Sequence, residues 1–348
     1  MLSSANRDYL VYIHQGETQS SLFDLRYSRV VFLNNATLSE QLGGDIAARR
    51  YLKGSEIDTL HHLSLPLREI DINQIKSPLV ICLLVIDSCT LSCDYCYGEN
   101  LNENSIDYAT IVKRINEDED FLSLIIAGGE PLLWPRLMVF LRSINTQKRA
   151  VFIDTNGTEL TRSEVMTDGD LNYLAENNFN FRVSLDSDKE DINDKLRGKS
   201  RKVINGIKRL TDQNVSVWIN TVVIKNNIRH LGSLAEFMIG EGISHWTLFR
   251  LIGKQRNDAY GCSHDDINEA AATLKTKYGA WINIYYNPSI KPPYSIFMIN
   301  AQGYYSIPDG SGTNNKMINT ISQYSIKDCW AEFNKVDHLK RYIIQDEA

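Results

Sequence analysis

The chain has 348 residues, 43% of them hydrophobic and 23% charged, and a formal net charge of −6. This composition is ordinary for a folded globular protein of about two domains, and the acidic balance argues against a general binder of nucleic acid or of acidic membranes. No apolar run approaches the ~20 residues of a membrane span, and the first residues lack the pattern of a signal peptide. We therefore predict a cytoplasmic protein with reduced thiols and with no nucleic-acid or membrane partner.

The first part of the chain, residues 1–76, predicts a small α+β domain. Residues 21–35 have the pattern of two short strands around a tight turn. Residues 36–54 predict a helix, a break at a Gly-Gly pair and a second helix. Residues 57–78 then predict a short helix and a linker that ends at a proline.

Between residues 77 and 256 the pattern changes to apolar segments that alternate with helical ones. Six apolar segments have the length of buried strands and lie at residues 79–88, 121–129, 150–157, 181–187, 215–224 and 245–252. Repeated strand–helix units predict a parallel α/β sheet with right-handed crossovers, either doubly wound or curved into a barrel. A complete TIM-type barrel needs eight units, so six units predict only a partial (β/α)6 barrel.

The last part, residues 257–348, predicts a C-terminal extension in which this alternation weakens. Its predicted elements are a helix at residues 267–279, a strand at 282–288, a β-hairpin at 294–310 and a loop at 311–325. The hairpin is predicted to turn at Ala301, Gln302 and Gly303.

Three of the six cysteines fall within eight residues, at Cys89, Cys93 and Cys96. They directly follow the first apolar segment, at the strand end where α/β proteins place their sites. Four thiolates close a structural zinc site or an ordinary iron–sulfur cluster, whereas three leave one iron of a four-iron cluster without a protein ligand. That iron is open to a substrate or cofactor. The spacing alone also fits a zinc site completed by a distant histidine or by Cys262, or an incidental group of loop cysteines.

With the aromatic Tyr95 before its last cysteine, this triplet resembles the signature of the radical S-adenosylmethionine superfamily. Segments that resemble the other motifs of that superfamily follow in the expected order, close to the ends of the next predicted strands. They are Gly128-Gly129-Glu130, Asp154-Thr155-Asn156-Gly157, Ser184-Leu185-Asp186, Leu196-Arg197-Gly198 and Asn220. Each segment is weak by itself, but their order and spacing are specific for the superfamily.

The resemblance implies a partial, TIM-like radical SAM barrel that carries one [4Fe-4S] cluster on Cys89, Cys93 and Cys96. It implies that S-adenosyl-L-methionine binds the open iron and that an electron, from a donor such as flavodoxin or ferredoxin, releases a 5′-deoxyadenosyl radical. That radical takes a hydrogen atom from the substrate, while the protein orients both partners.

The same resemblance implies which residues bind S-adenosylmethionine. They are Tyr95, Gly128, Gly129, Glu130, Asn156, Ser184, Asp186, Arg197 and Asn220. Two glycines let backbone approach the ammonium of the methionine moiety, and Glu130 helps to hold it. The guanidinium of Arg197 matches the methionine carboxylate, Asn220 lies near the ribose, and Tyr95 lies beside the adenine.

Two further resemblances concern the substrate. The N-terminal domain resembles the small, winged-helix-like peptide-recognition module of maturases of ribosomally made peptides, which captures a leader peptide by strand addition. The alternative is a generic α+β cap that shields the barrel. The hairpin at residues 294–310 resembles the start of the SPASM-like extension of peptide maturases, but the cysteines for an auxiliary cluster are missing. Only Cys262 and Cys329 follow the triplet, fewer than the four thiolates of a usual cluster.

Cys262 and Cys329 are the candidate catalytic residues, as hydrogen-atom donors of the kind found in peptide epimerases. The alternative is that Cys329 is simply buried and that Cys262 is an ordinary loop thiol. The leading hypothesis is a radical SAM enzyme that cross-links, epimerises or otherwise modifies a ribosomally made peptide. A second hypothesis is a viperin-like or molybdenum-cofactor-synthesis-like enzyme acting on a small molecule or nucleotide. A third, a metal-binding structural protein, is disfavoured by the intact series of motifs.

Overall fold

The computed structural model describes residues 8–93, 95–96, 105–251, 260–287, 296–308 and 315–342. Its strands are β1 Asp8–Gln15, β2 Gln19–Asp24, β3 Arg29–Asn34, β4 Arg49–Lys53, β5 Val80–Ile86, β6 Ser123–Gly128, β7 Ala150–Thr155, β8 Phe179–Ser184, β9 Ser216–Val223, β10 His245–Arg250, β11 Asn283–Asn287, β12 Phe297–Ile299, β13 Tyr304–Pro308 and β14 Asn315–Thr320. Its helices are α1 Asn35–Leu42, α2 Gly54–His62, α3 Tyr108–Glu117, α4 Leu137–Arg142, α5 Asp168–Glu176, α6 Glu190–Leu196, α7 Ser200–Asp212, α8 Leu231–Gly240, α9 His264–Tyr278, α10 Ile326–Ala331 and α11 Lys335–Tyr342. None of these helices combines the length and the apolar character needed to span a membrane.

Several element boundaries follow directly from local sequence. β5 consists only of apolar residues, which suits a strand covered on both faces. Thr167 caps the start of α5. Its hydroxyl accepts from the backbone N–H of Asp170, while the Asp170 carboxylate accepts from the backbone N–H of Thr167. Ser263 and Asp266 make the same reciprocal pair at the start of α9. These capping boxes satisfy N–H groups that have no partner inside a helix.

The N-terminal residues form an antiparallel sheet in the order β3-β2-β1-β4. The two strands predicted in residues 21–35 are confirmed as β2 and β3, and the helix predicted after them is confirmed as α1. The second helix predicted in residues 36–54 is wrong, because Arg49–Lys53 pairs with β1 as strand β4. Arginine, leucine and lysine favour a helix locally, but a short lone helix is marginal and the open edge of β1 offers backbone partners.

Both faces of this small sheet are buried. One face, which includes Val11 and Val31, packs against α1 and α2 in a separate core. The other face belongs to the same core as the main sheet. There the ring of Phe23 meets the edge of Phe152 in β7, with ring centroids 6.4 Å apart. The N-terminal sheet therefore packs directly against the rest of the protein instead of standing on a linker.

The main sheet contains ten strands in the order β11-β10-β9-β8-β7-β6-β5-β12-β13-β14. The six predicted strands are confirmed as the parallel strands β5 to β10, and β11 adds a further parallel strand beside β10. This is the α/β architecture of a partial TIM-like barrel, and the sheet does not close on itself. The C-terminal strand β12 lies parallel to β5 and extends that edge.

The predicted hairpin is confirmed as β12 and β13, but the loop predicted at residues 311–325 is wrong. This segment contains β14, which pairs antiparallel with β13. Its polar composition favoured a loop, yet a strand edge has unpaired backbone groups that even a polar segment can satisfy. After β14, the indole of Trp330 in α10 donates to the carbonyl of Ile75, just before β5, at 2.8 Å.

One face of the main sheet, here called the inner face, carries a series of polar side chains. Asp154 and Arg182 are register partners in β7 and β8 and form an ion pair, with nitrogen–oxygen distances of 2.5 and 2.8 Å. A second row crosses four strands, because each of its members is the register partner of the next; the row is Ser184, Asn220, Thr247 and Tyr285. The opposite face packs against helices, with Trp246 and Leu248 fully buried.

Candidate active site

The cysteine loop follows β5 directly. Cys89 and Cys93 are half-buried and Cys96 is exposed, and none of the three is in a disulfide bond within the described residues. The backbone N–H of Cys96 donates to the carbonyl of Cys93 at 3.0 Å, so the last two cysteines share one turn. Burial raises the pKa of Cys93 to about 11, with Cys96 and Cys89 adding to the effect and Arg197 opposing it. The thiol of Cys93 therefore holds its proton in the bare chain and would lose it on binding a metal cluster.

The glycines of the second motif hold this loop in place. A Cβ at Gly128 would lie 2.3 Å from the carbonyl oxygen of Ile86, and one at Gly129 would lie 2.2 Å from that of Ser88. Gly128 also has a φ of +137°, which disfavours other residues. The backbone N–H of Glu130 donates to the carbonyl of Ser88 at 2.8 Å. The close approach that needs glycine is thus to the start of the cysteine loop.

The side chain of Glu130 faces the protein interior and is fully buried. Its carboxylate accepts hydrogen bonds from the Thr155 hydroxyl at 2.6 Å, from the Asn156 backbone at 2.7 Å and from the Leu132 backbone at 3.1 Å. Burial raises the pKa of Glu130 to about 7. Glu130 therefore joins the ends of β6 and β7, and its predicted contact with an ammonium group has no support among these hydrogen bonds.

Asn156 connects the end of β7 to the first cysteine. Its side-chain N–H donates to the sulfur of Cys89 at 3.5 Å and to the hydroxyl of Thr90 at 3.4 Å. Its side-chain oxygen accepts from the backbone N–H and the hydroxyl of Thr158. Hydrogen bonds to cysteine sulfur tune the potential of iron–sulfur clusters. The amide of Asn156 is thus oriented to act on Cys89.

Asp186 gathers two of the predicted site residues around its buried carboxylate. The guanidinium of Arg197 donates to it at 2.8 and 3.3 Å, the hydroxyl of Tyr95 donates to it, and so does the backbone of Val222 at 2.8 Å. Arg197 also lies over the ring of Tyr95, 5.3 Å from its centroid. Burial works against the charged guanidinium, but Asp186 outweighs it and raises the pKa of Arg197. This arrangement orients Arg197 toward the cysteine loop, where it attracts the thiolate form of Cys93.

Ser184 and Asn220 lie side by side at the inner face, as register partners of β8 and β9. The side-chain oxygen of Asn220 is buried and has no hydrogen-bond partner in the part of the chain that the structure describes. A buried acceptor without a partner is costly. Asn220 is therefore suited to accept a hydrogen bond from a hydroxyl of a bound molecule.

The residues present fit an iron–sulfur cluster with S-adenosylmethionine. No three His, Cys, Asp or Glu side chains among the described residues stand close enough to share one metal ion. A cluster instead takes each thiolate at a different iron, so its ligands stand farther apart than those of a single ion. Within the described chain, the Nη1 group of Arg197 has no hydrogen bond and remains available to a carboxylate, and Asn220 is available to a hydroxyl.

Cys262 and Cys329, the candidate hydrogen donors, are not brought to the cysteine loop by any contact of the described residues. Cys262 is buried beside Ser263, the residue that caps α9. Cys329 is 1% exposed in α10, where its sulfur accepts from the side chain of Asn319 at 3.8 Å. Burial raises the pKa of Cys329 to about 11. These surroundings match structural thiols, and the catalytic role stays a prediction.

Sequence reasoning missed two polar residues of the inner face, Arg182 and Thr247. Both lie inside strands that were read only as apolar segments. A signal was present, because each of these polar residues interrupts a strand at a position that shares one face under the two-residue period. Polar residues that recur on one face of otherwise buried strands indicate a lined chamber.

Three comparisons place these features in context. Residues 83–238 match the family model described as the Radical SAM superfamily. A cysteine-type anaerobic sulfatase-maturating enzyme of Clostridium novyi is 34% identical over 174 residues, which are 43% of this chain and 45% of that enzyme. A GTP 3′,8-cyclase of Aliarcobacter butzleri is 25% identical over 240 residues, 65% of this chain and 68% of the cyclase.

The fold is also similar to that of SuiB of Streptococcus suis bound to its precursor peptide SuiA. The TM-score is 0.68 at 16% identity, and the alignment covers 100% of this chain and 92% of SuiB. The chain spans about half the length of most of the curated relatives that it matches.

Proposed function

We propose that this protein is a radical SAM enzyme that modifies a ribosomally made peptide, because residues 83–238 match the model of the Radical SAM superfamily. Cys89, Cys93 and Cys96 would hold one [4Fe-4S] cluster together with S-adenosylmethionine. When bound and reduced by one electron from an external donor, this pair would supply a carbon radical that can remove a hydrogen atom from the substrate.

The chain's own residues position this chemistry. Asp186 holds the guanidinium of Arg197 and the hydroxyl of Tyr95, so both face the cysteine loop in a fixed orientation. Asn156 donates to the sulfur of Cys89, which favours its thiolate form. The carboxylate of the methionine moiety pairs with the remaining donor of Arg197, and a ribose hydroxyl donates to the buried oxygen of Asn220.

The observation that carries the peptide proposal is the direct packing of the N-terminal sheet on the main sheet. In support of it, the similarity to SuiB bound to a precursor peptide extends over the whole chain, this small sheet included. A leader peptide adds as a strand to an edge of that sheet. The backbone of Phe32 in β3 is already bonded to Ser64 and Leu65, so β4, Arg49–Lys53, offers the edge for the leader.

The experiment uses the full chain purified without oxygen and reconstituted with iron and sulfide. The wild-type protein should carry an oxygen-sensitive iron–sulfur cluster and release 5′-deoxyadenosine from S-adenosylmethionine once reduced. Cys93→Ala should lose both properties. Ser92→Ala, an exposed neighbour in the same loop, should retain both. A Cys93→Ala protein with normal cluster content and normal release would refute the proposal.

A second candidate is an enzyme that acts on a nucleotide, because the similarity to the GTP 3′,8-cyclase covers 65% of this chain. Two parallel reactions of the reduced enzyme distinguish the two candidate functions. One reaction contains a displayed peptide library, and the other contains nucleoside triphosphates. The peptide proposal expects peptides of changed mass and intact nucleotides. Consumption of a nucleotide with unchanged peptides would favour the second candidate.

A further inference from the structure

Arg29 joins three parts of the protein with one side chain. It is the first residue of β3, and its guanidinium lies over the ring of Tyr285 in β11, 4.7 Å from the ring centroid. It also donates a hydrogen bond to the backbone carbonyl of Arg341 in the last turn of α11. The N-terminal sheet thereby reaches the inner face of the main sheet.

The charge of Arg29 is not balanced by a carboxylate within the described residues, where its contacts are Tyr285, the carbonyl of Arg341 and the side chains of Arg341 and Tyr342. Burial, together with the like charge of Arg341, lowers the pKa of Arg29 to about 10. A buried guanidinium without a carboxylate is costly, and this cost falls when an anion binds beside it.

A second group at the same place also lacks a partner. The hydroxyl oxygen of Tyr285 is buried and has no hydrogen-bond partner in the described part of the chain. A neutral phenol and a guanidinium are both hydrogen-bond donors, and here the guanidinium stacks on the ring of that phenol. A carboxylate accepts from both, because its two oxygens offer several lone pairs.

The other arginine of the inner face is already neutralised. Arg182 makes two hydrogen bonds to the carboxylate of Asp154. Burial raises the pKa of Tyr342, and this hydroxyl interacts electrostatically with Arg29, Arg182 and Cys82 alike. Within this group Arg182 has Asp154 as its acid, whereas Arg29 has no acid among the described residues.

Arg29 and Tyr285 lie close to Asn220, the proposed contact of the cofactor ribose. Tyr285 and Asn220 belong to the same row, with Thr247 of β10 between them. Neighbouring strands lie about 4.8 Å apart, so the two side chains are separated by roughly 10 Å along the sheet. An extended peptide covers that distance in about three residues.

We infer that Arg29 and Tyr285 form a carboxylate subsite that receives an acidic side chain of the peptide substrate, within about three residues of the modified position. This inference rests on the proposed function. The carboxylate supplies the counter-ion that Arg29 lacks among the described residues, and it accepts from the hydroxyl of Tyr285. The N-terminal domain then contributes a residue to the substrate chamber as well as an edge for the leader.

The test compares two matched probes, the peptides acetyl-Gly-Gly-Glu-Gly-Gly-amide and acetyl-Gly-Gly-Gln-Gly-Gly-amide. Their dissociation constants are measured by ligand-observed NMR with the full-length reconstituted protein, without reductant. Wild-type protein should bind the glutamate peptide at least about tenfold more tightly. The ratio should fall to about 1 in Arg29→Gln and should decrease in Tyr285→Phe, which keeps the stacked ring. Arg68→Gln, at a side chain that is 84% exposed, should leave the ratio unchanged.

A purely structural Arg29, which only caps the last turn of α11, gives a different result. In that case Arg29→Gln would weaken the binding of both peptides equally or unfold the protein. Tyr285→Phe would not change the ratio of the two dissociation constants. Equal binding of both peptides by the wild type, or an unchanged ratio in Tyr285→Phe, overturns the subsite. The subsite is also overturned if the protein prefers the glutamate peptide only when Asp346→Asn and Glu347→Gln are both introduced. In that case these acids of the chain itself would be the natural occupants.

Failure of the subsite and failure of the proposed function are distinguishable. The peptide ratio is measured before reduction, while release of 5′-deoxyadenosine by the reduced wild-type protein is measured separately. Absence of that release with a preserved ratio refutes only the proposed function. Normal release with equal binding of the two peptides refutes only the subsite. If the true ligand is a free small carboxylate, acetate should bind as tightly as the glutamate peptide and displace it.

Discussion

The side-chain amide of Asn156 donates a hydrogen bond to the sulfur of Cys89 at 3.5 Å, although 67 residues separate them. This bond brings the end of β7 into contact with the first cysteine of the loop after β5. The same asparagine receives its backbone orientation from Glu130 at the end of β6, through a 2.7 Å hydrogen bond. Three consecutive parallel strands are thereby fixed around one sulfur.

Asn156→Ala should shift the reduction potential of the cluster to a more negative value. The N–H···S bond stabilises the reduced cluster, whose sulfur ligands carry more negative charge, and loss of such a partner typically lowers metal affinity about 10- to 100-fold. A redox titration followed by electron paramagnetic resonance measures the potential. Asn172→Ala, at an exposed position of α5, is the control, and an unchanged potential in Asn156→Ala would contradict the assigned role.

Asp186→Asn should destabilise the protein and weaken binding of S-adenosylmethionine. The variant leaves the guanidinium of Arg197, which is 12% exposed, without its carboxylate, and breaking a buried ion pair costs about 3 to 5 kcal/mol. Urea unfolding measures the loss. The double variant Asp186→Asn/Arg197→Met should lose less than the sum of the single variants. Additive losses would show that the two residues do not act as a pair.

The contribution of Glu130 to stability should depend on pH. Its pKa of about 7 in the folded protein lies above the ordinary value of 4.5, so the folded chain holds this proton more tightly than the unfolded chain. The contribution is complete below about pH 4.5 and is lost as the pH rises through 7, by about 3 kcal/mol. The free energy of unfolding of the wild type minus that of Glu130→Gln should therefore fall between pH 5 and 8. The exposed Glu176→Gln should give a flat difference over this range.

Gly129→Ala should reduce both stability and cluster content. The added Cβ would lie 2.2 Å from the carbonyl oxygen of Ser88 and 2.3 Å from that of Asp87, so the backbone of the cysteine loop must move, at a cost of about 1 to 3 kcal/mol. Thermal unfolding and iron analysis measure the two effects. Gly240→Ala is the matched control, since a Cβ there meets nothing within 4 Å in α8 and alanine favours a helix. Equal behaviour of the two variants would rule out the close approach.

The alternation of strands and helices was predictable because it follows from the local spacing of apolar residues along the chain. The apolar run of β5 and the cysteines that follow it are adjacent in sequence, so their order already places the thiols at a carboxyl strand end. The turn between β2 and β3 was likewise local. The series of short motifs at the next strand ends predicted a common site, because parallel strands bring their carboxyl ends together.

The partners of those motif residues were decided only by tertiary structure. Glu130 and Asp186 are acidic residues that the sequence presents as ligand contacts, yet both carboxylates accept hydrogen bonds from the protein itself. β4 and β14 contradicted their local composition because each lies along an open strand edge. Arg29 and Tyr285 meet across 256 residues. Periodicity reports which face of an element is apolar, but which polar groups meet depends on packing of distant segments, and no local pattern encodes that.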